Sequence, residues 1–581
     1  MKKTGAQIVW EMFKREGVEV VFGIPGGAIM HTYHPRQDYG IHHVLMRHEQ
    51  CAAHAADGYA RVSGKVGVAM ATSGPGATNL VTGIATAAMD SSPIVCITGQ
   101  VPTHLIGTDA FQETDITGIT LPITKHNYLV TDVADLAYTI REAFYIARSG
   151  RPGPVLIDLP KDVQMAETEF VVPDEEINLP GYRPVGKGDP QLVERAAALI
   201  NQAKRPVILA GQGVLMSGAM RELRAFAEKT QTPVGLTLLG KGGFPESHPL
   251  ALGMMGMHGE AYVNQAIQEA DLLLAFGMRF DDRVTGQLDL YTPDAKRIHV
   301  DADAAELNKI VTVDVPILGD LRQVLEQLLP KVETTTHEAW IERIEEWRGE
   351  SHRRDILHRP ENGHLVAAHF INDIWEATEG QAIVVTDVGQ HQMWAAQYYL
   401  NDVPFSVVTS GGLGTMGFGL PAAIGAQFGQ PDREVWAIVG DGGFQMTLQD
   451  LATVVQENLP IHIALSNNNY LGMVRQWQEL FYEKRYESTR LLNPDFVKLA
   501  DAYGIPAWRA TTRSEARQAI EAAREHDGPT FIEFQIAEEG EEGNVYPMVP
   551  SGAALHEMIR RAPQASPVKV VGGANSPDEA E

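Results

Sequence analysis

Short, uninterrupted apolar runs recur along this chain, separated by longer stretches in which apolar residues return with helical spacing. The first group of runs falls at 18–24, 66–71, 94–98 and 155–159, and the second at 207–210, 234–236, 272–276 and 298–300. The third includes 435–439 and 460–465. A strand buried on both faces is apolar throughout rather than alternating, and strands separated by helices pair in parallel. The pattern therefore predicts three doubly wound parallel-sheet α/β domains, at 1–170, 189–335 and 363–548. The first and third look like two copies of one plan. A polar, proline-bearing stretch at 173–188 reads as a linker, and the charged stretch 333–362 as a helical connector. Residues 563–581, with their Pro, Gly and acidic positions, have the composition of a disordered tail.

Length supports the division, since 581 residues exceed what one core accommodates. The 44% hydrophobic and 21% charged content is that of a globular protein. No run of about 18 uncharged apolar residues suggests a membrane span, and the first residues lack the apolar centre of a signal peptide, so a cytoplasmic protein is expected. A formal charge of −27 argues against nucleic acid or an anionic membrane as partner, because both need a basic face. Cys51 and Cys96 have no metal-ligand spacing and read as reduced packing residues.

Candidate chemistry begins at Gly440-Asp441-Gly442, which follows the run 435–439 and precedes Asn468 by 27 residues. Both Asp441 and Asn468 fall where buried strands end, and ligands of open parallel sheets collect at those ends. A carboxylate and an amide oxygen suit Mg²⁺, which completes its shell with phosphate oxygens, and glycines let the backbone approach a phosphate closely. Together they resemble the diphosphate signature of thiamine diphosphate enzymes. That cofactor also needs a distant carboxylate to hold its aminopyrimidine. Glu49, between the run 43–46 and a helix of small residues, is the candidate.

Three strings make the resemblance specific: Arg47-His48-Glu49-Gln50, Ala55-Ala56-Asp57-Gly58-Tyr59-Ala60-Arg61 and Thr72-Ser73-Gly74-Pro75-Gly76-Ala77-Thr78-Asn79. They occur in the order and spacing of the pyrimidine-binding domain of these enzymes. From Phe22 to about Met558 the chain resembles the catalytic subunit of the acetohydroxyacid (acetolactate) synthases. The resemblance implies a pyrimidine-binding first domain, a central domain that binds FAD, and a diphosphate-binding third domain. It also implies a homodimer or dimer of dimers with sites at the subunit interface, and the possibility of a separate regulatory small subunit.

By the same resemblance, thiamine diphosphate meets Glu49, Pro25, Gly26, Gly27, Gln390, His391, Gly414, Met416, Gly440, Gly442, Gly443, Asn468 and Met473, with Met416 as the apolar wedge that bends it. Mg²⁺ takes Asp441, Asn468 and the carbonyl of Tyr470. Arg283 matches the residue that binds the carboxylate of a second 2-keto acid, a role suited to a planar guanidinium. Trp477 matches the residue that favours 2-ketobutyrate over pyruvate. Phe111, Gln112, Lys161, Met257 and His258 correspond to the rest of the substrate channel. FAD contacts map to Arg151, Gly211, Gly213, Met257, His258, Gly277, Arg279, Asp281, Arg283, Asp301, Ala302 and Asp320. Ile24 and the stretch 30–36 depart from the family pattern near the aminopyrimidine.

The implied reaction decarboxylates pyruvate and joins the remaining two-carbon unit to pyruvate or 2-ketobutyrate. The products are 2-acetolactate or 2-aceto-2-hydroxybutyrate, for valine, leucine and isoleucine synthesis. A catabolic acetolactate synthase, a flavin-linked pyruvate oxidase or a simple decarboxylase shares the first half of that chemistry and stays open here. A non-catalytic paralogue would have lost Glu49, Asp441 or Asn468, and all three are present.

Overall fold

The computed structural model describes residues 1–173, 177–359, 363–538, 540 and 542–563. Three six-stranded sheets, every pairing parallel, account for the apolar runs. The first is ordered His42–Leu45, Val20–Gly23, Gly67–Ala71, Ile94–Gln100, Val155–Pro160, His126–Leu129. The third, ordered Val407–Val408, Ile383–Thr386, Val435–Gly440, Ile461–Asn467, Thr530–Gln535, Ala507–Ala510, repeats that topology strand for strand. The second runs Ala251–Met254, Val234–Leu236, Pro206–Ala210, Leu272–Phe276, Lys296–Asp301, Val315–Leu318. Counted from its own first strand this is the order 3-2-1-4-5-6, which opens a ligand crevice between Pro206–Ala210 and Leu272–Phe276.

The central strands are the strong apolar runs because helices cover both faces. Edge strands such as His126–Leu129 and Ala507–Ala510 keep exposed and half-buried positions and carry a weaker pattern. The first and third sheets do not stand apart. One hydrophobic core runs from Phe22 and Cys96 through the helices Glu49–Ser63 and Gly419–Gly429 to Val439 and Ile463. Those helices cross at glycines. A Cβ on Gly58 would stand 2.1 Å from the Ala422 carbonyl oxygen, and one on Gly425 1.8 Å from that of Ala55. Buried Arg61 bolts the junction, donating to both Asp57 oxygens, to Asp90 and to the Thr409 carbonyl.

The described part of 173–188 is irregular, as expected of a linker, yet docked: the Gly186 carbonyl accepts from the Asp320 amide. The charged connector is the helix Glu338–His352, whose Trp340 is buried and donates its indole N–H to the Pro206 carbonyl. Residues 545–559 extend the third domain back over the second, with Val549 N donating to the Met257 carbonyl and Gly286 bridging Ala554. The tail expected over 563–581 lies, beyond Pro563, outside the described residues. No described helix is long and apolar enough to cross a membrane.

Candidate active site

The carboxyl ends of Val435–Gly440 and Ile461–Asn467 set Asp441 and Asn468 side by side, because the two strands are hydrogen-bonded neighbours. Asp441 Oδ2 accepts from Asn493 Nδ2 at 2.7 Å and Oδ1 from the Gly442 amide at 3.1 Å. Burial pushes this carboxyl up to about 6, since no cationic side chain offsets it. Asn468 donates to Gln390 Oε1 at 3.1 Å and accepts from the Tyr470 amide. Among the described residues no three His, Cys, Asp or Glu side chains cluster as metal ligands. A set of one carboxylate, one amide oxygen and a carbonyl fits a hard cation that shares its shell with phosphate, and a lone buried carboxylate is where such an ion would be held.

The glycines of this end are required by close approach. A Cβ on Gly440 would lie 2.6 Å from the His391 ring, and one on Gly443 2.4 Å from Asp387 Oδ1. His391 is buried, held neutral by burial with its basicity lowered to about 4, and its Nε2 has no hydrogen-bond partner. An orphaned ring nitrogen beside a glycine turn fits a phosphate oxygen. Asp387 and Asn493 escaped sequence reading. Asp387 accepts from the Gly417 and Gly419 amides and so fixes the loop that carries Met416. Only its position at the end of the strand Ile383–Thr386 could have flagged it. Asn493 is an isolated loop residue with no local signal.

From Asp441 an open cavity of about 760 Å³ runs to the crevice of the second sheet. Its wall includes Gln390, Gly414, Met416, Tyr470 and Met473 at one end, and Gly213, Gly277, Asp301, Ala302 and Asp320 at the other. Met257, His258, Arg279, Asp281, Arg283 and Trp477 line it too, so most of the expected third-domain and central-domain contacts share one space. Gly211 sits behind the wall: a Cβ there would meet the Gly277 carbonyl oxygen at 2.3 Å, so its glycine serves the packing of two loops. Arg151 pairs with Asp303 at 3.1 Å and Glu306 at 2.9 Å, and donates Nε–H to Ser91. Arg283 is 59% exposed in its side chain, within 3.5 Å of Asp282 and of the Met257 sulfur. His258 is buried and held neutral, its pKa lowered to about 4 by burial, which leaves the arginines as the cations of this wall.

The remaining predicted residues are elsewhere. Glu49, Pro25, Gly26, Gly27, Phe111, Gln112 and Lys161 gather at the carboxyl ends of the first sheet and contribute nothing to that cavity. Glu49 begins the helix Glu49–Ser63, accepts from Asn79 Nδ2 at 2.9 Å, and has its Oε1 3.3 Å from where a Gly76 Cβ would be. Gly26 lies against Thr72, whose hydroxyl accepts from the Ala28 amide. Phe111 is 88% exposed. Of the departing positions, Ile24 packs against the shared core and Tyr33 bonds His43 Nε2 at 2.9 Å, so both are absorbed structurally.

Comparison with known proteins matches the geometry. Family models described as the N-terminal TPP binding domain, central domain and C-terminal TPP binding domain of thiamine pyrophosphate enzymes match residues 3–119, 193–328 and 387–534. An acetolactate synthase large subunit of Corynebacterium glutamicum is 52% identical over 565 residues, covering 95% of this chain and 89% of the relative. A probable acetolactate synthase large subunit of Methanocaldococcus jannaschii is 47% identical over 570 residues, covering 96% and 95%. An acetolactate synthase of Mycobacterium bovis is 49% identical over 566 residues, covering 96% and 91%. With its paired TPP-binding sheets and identity of this extent along nearly the whole chain, the protein belongs to the acetolactate synthase large-subunit family of thiamine diphosphate enzymes.

Proposed function

We propose that this protein decarboxylates pyruvate and joins the remaining two-carbon unit to a second 2-keto acid, forming 2-acetolactate or, from 2-ketobutyrate, 2-aceto-2-hydroxybutyrate. The observation that carries this reading is the one cavity in which Arg283 and Trp477 stand with Met416, Asp441 and Asn468. Thiamine diphosphate, when bound, supplies the electron sink that loss of CO₂ from a 2-keto acid requires. Asp441, Asn468 and the Tyr470 carbonyl would hold Mg²⁺, and His391, whose Nε2 has no partner, would offer the diphosphate a hydrogen bond. Gln390, whose side-chain N–H groups already go to Gln476 and the Gly543 carbonyl, would line the same wall and hold Asn468 in place. Met416 supports the cofactor as an apolar wedge, and Glu49 holds a proton at the aminopyrimidine N1′. Arg283 receives the carboxylate of the second acid. Trp477 contacts its side chain and sets a preference rather than an absolute choice, because one methylene is worth about 1–3 kcal/mol.

FAD occupies the crevice of the second sheet in this reading, where the strand order reverses and Gly213 and Gly277 line the wall while packing their two loops together, a Cβ on either meeting the other's Cα at 2.6 Å. The net reaction does not consume it. The working unit is a homodimer or dimer of dimers, because the Glu49 group and the Asp441 group lie apart within one chain. Exposed Phe111, with Leu105, Ile106, Ile119 and Leu121 nearby in sequence, supplies the apolar surface a partner would cover. A cytoplasmic setting goes with pyruvate as substrate, and a separate small subunit would be the source of feedback control.

The test is a product assay with pyruvate, Mg²⁺ and thiamine diphosphate, with and without FAD and 2-ketobutyrate. Acetolactate that requires FAD and is diverted by 2-ketobutyrate is the expected result. Acetate or acetaldehyde alone would overturn the carboligase reading, and indifference to both additions would indicate a catabolic synthase. Sharing of sites is tested by co-expressing Glu49→Gln with Asp441→Ala chains. Mixed dimers then carry one intact site each and restore about one quarter of wild-type activity; a site built within one chain restores none.

A further inference from the structure

Residues 101–115 carry Phe111 and Gln112 on an irregular excursion from the first sheet, with one short turn, Thr103–Leu105, as its only regular structure. The backbone is left-handed at Gly107, Asp109 and Gln112, with φ of 83°, 58° and 60°. Non-glycine residues in that region cost about 1 kcal/mol or more each, and persist only where neighbouring contacts impose them. Part of the restraint is local: Glu113 accepts from the Gly107 and Ala110 amides. A second restraint is Asp162, which accepts from the Thr103 amide and hydroxyl.

The third is a buried relay rooted in the sheet. Gln100 Nε2 donates to the Thr114 carbonyl at 2.8 Å, two residues beyond Gln112, and to Asp158 Oδ2 at 2.9 Å. Its Oε1 accepts from the Val101 amide at 2.9 Å. Asp158 Oδ1 accepts from the Thr98 hydroxyl at 2.8 Å. All three side chains are buried, and Thr98 and Asp158 are register partners on adjacent strands. The chemistry of the relay sets its direction. A side-chain amide fits equally well either way round, and only its partners decide which end faces where. An acceptor at Asp158 turns the NH₂ group toward itself and so toward the Thr114 carbonyl, leaving the amide oxygen for Val101.

We infer that Gln100 and Asp158 are positioning residues for the carboligation reaction: the pair orients one buried amide so that it holds the loop presenting Phe111 and Gln112. This rests on the proposal that those two residues serve the substrate channel. Neither member of the pair touches substrate; they act through the Thr114 carbonyl. The role explains why a carboxylate and an amide occupy adjacent central strands that are otherwise apolar where they meet the core.

Gln100→Met tests it, since methionine keeps the length and volume but offers no N–H. At saturating cofactors kcat should fall about ten- to a hundredfold, the scale expected when substrate-positioning groups are displaced by about 1 Å. The KM for pyruvate, the melting temperature and flavin affinity should stay near wild type. Amide hydrogen exchange of residues 107–114 in the holoenzyme should rise at least about tenfold, with the strands of the first sheet unchanged. Asp158→Asn, which keeps an acceptor for the Gln100 amide, should stay within about threefold of wild type, whereas Asp158→Leu should behave like Gln100→Met. Normal turnover and exchange in Gln100→Met would overturn the inference. So would faster exchange across the whole first sheet, which marks a general structural role, or an Asp158→Asn variant as damaged as Asp158→Leu. Wild-type protein assayed alongside separates this from the underlying reading: absence of acetolactate there sinks the proposed reaction, while the exchange data still report on the loop.

Discussion

At the scale of single residues, position on the fold decides which titratable groups do chemistry. Glu49 stands at a helix start with one side-chain donor, Asn79, and is half-buried, an environment open to a ring nitrogen. Glu49→Gln should lower turnover by at least about a hundredfold, the range of a lost acid–base group, with the melting temperature unchanged; near-normal acetolactate formation would refute its role. Trp477→Leu should shift the 2-ketobutyrate to pyruvate product ratio about tenfold, read by competition between the two acids. His54 shows the opposite use of burial. It is fully buried against Phe418 and its pKa is lowered to about 4. An unfolded histidine near 6.5 binds a proton that the folded one refuses, so this contribution to stability is full above about 6.5 and is lost as pH falls toward 4. Asp158 and Glu260, raised to about 7 by burial, work in the other direction, since the fold binds their protons more tightly. Comparing variants isolates the histidine: the stability lost between pH 7 and pH 5 should be about 2 kcal/mol smaller in His54→Gln than in wild type, measured by urea unfolding.

At the scale of elements, the crossing of Glu49–Ser63 and Gly419–Gly429 joins the two halves of each chain. One helix begins with Glu49 and the other follows the loop that carries Met416, so their contact couples the Glu49 end of the first domain to the Met416 loop of the third. The close approach depends on absent side chains, with backbone oxygens standing where Cβ atoms would be. Gly425→Ala should cost about 3 kcal/mol, at the upper end of overpacking effects, because the Ala55 carbonyl lies within a helix and cannot turn aside. Thermal unfolding measures it; an unchanged midpoint would show that the helices can separate cheaply. Asp90 adds the polar part of the joint, accepting from the Gly411 and Gly412 amides while bound to Arg61. The helices and central strands were legible from apolar spacing, and so were their glycines as motifs. Which glycine touches which backbone was not, because that contact pairs residues more than 350 positions apart.

At the scale of the whole molecule, two sheets of one topology back onto a shared core and a third of different order supplies the crevice. Glu49, at a carboxyl end of the first sheet, is not among the residues that line the cavity of Asp441, so the proposed site needs a second chain to complete it. Activity should therefore fall on dilution in step with dissociation of the oligomer, followed by sedimentation and by acetolactate formation in the same samples. Persistence of full activity in a monomer would place Glu49 and Asp441 in one chain's site.

The amino-acid sequence by itself determined the parallel α/β class, the three blocks, and the ends of strands at which Asp441, Asn468 and Glu49 emerge. These follow from local apolar periodicity and from short motifs whose residues are neighbours in the chain. Tertiary structure alone decided that the first and third blocks share a core, that the central sheet has the order 3-2-1-4-5-6, and that one cavity joins Arg283 to Asp441 but excludes Glu49. It also decided the partners that no local pattern announces, such as Asn493 on Asp441 and Gln100 between Asp158 and Thr114. The reason is physical: strand order and side-chain pairing depend on contacts between distant segments, and apolar spacing along a segment reports that a face is buried without reporting what covers it.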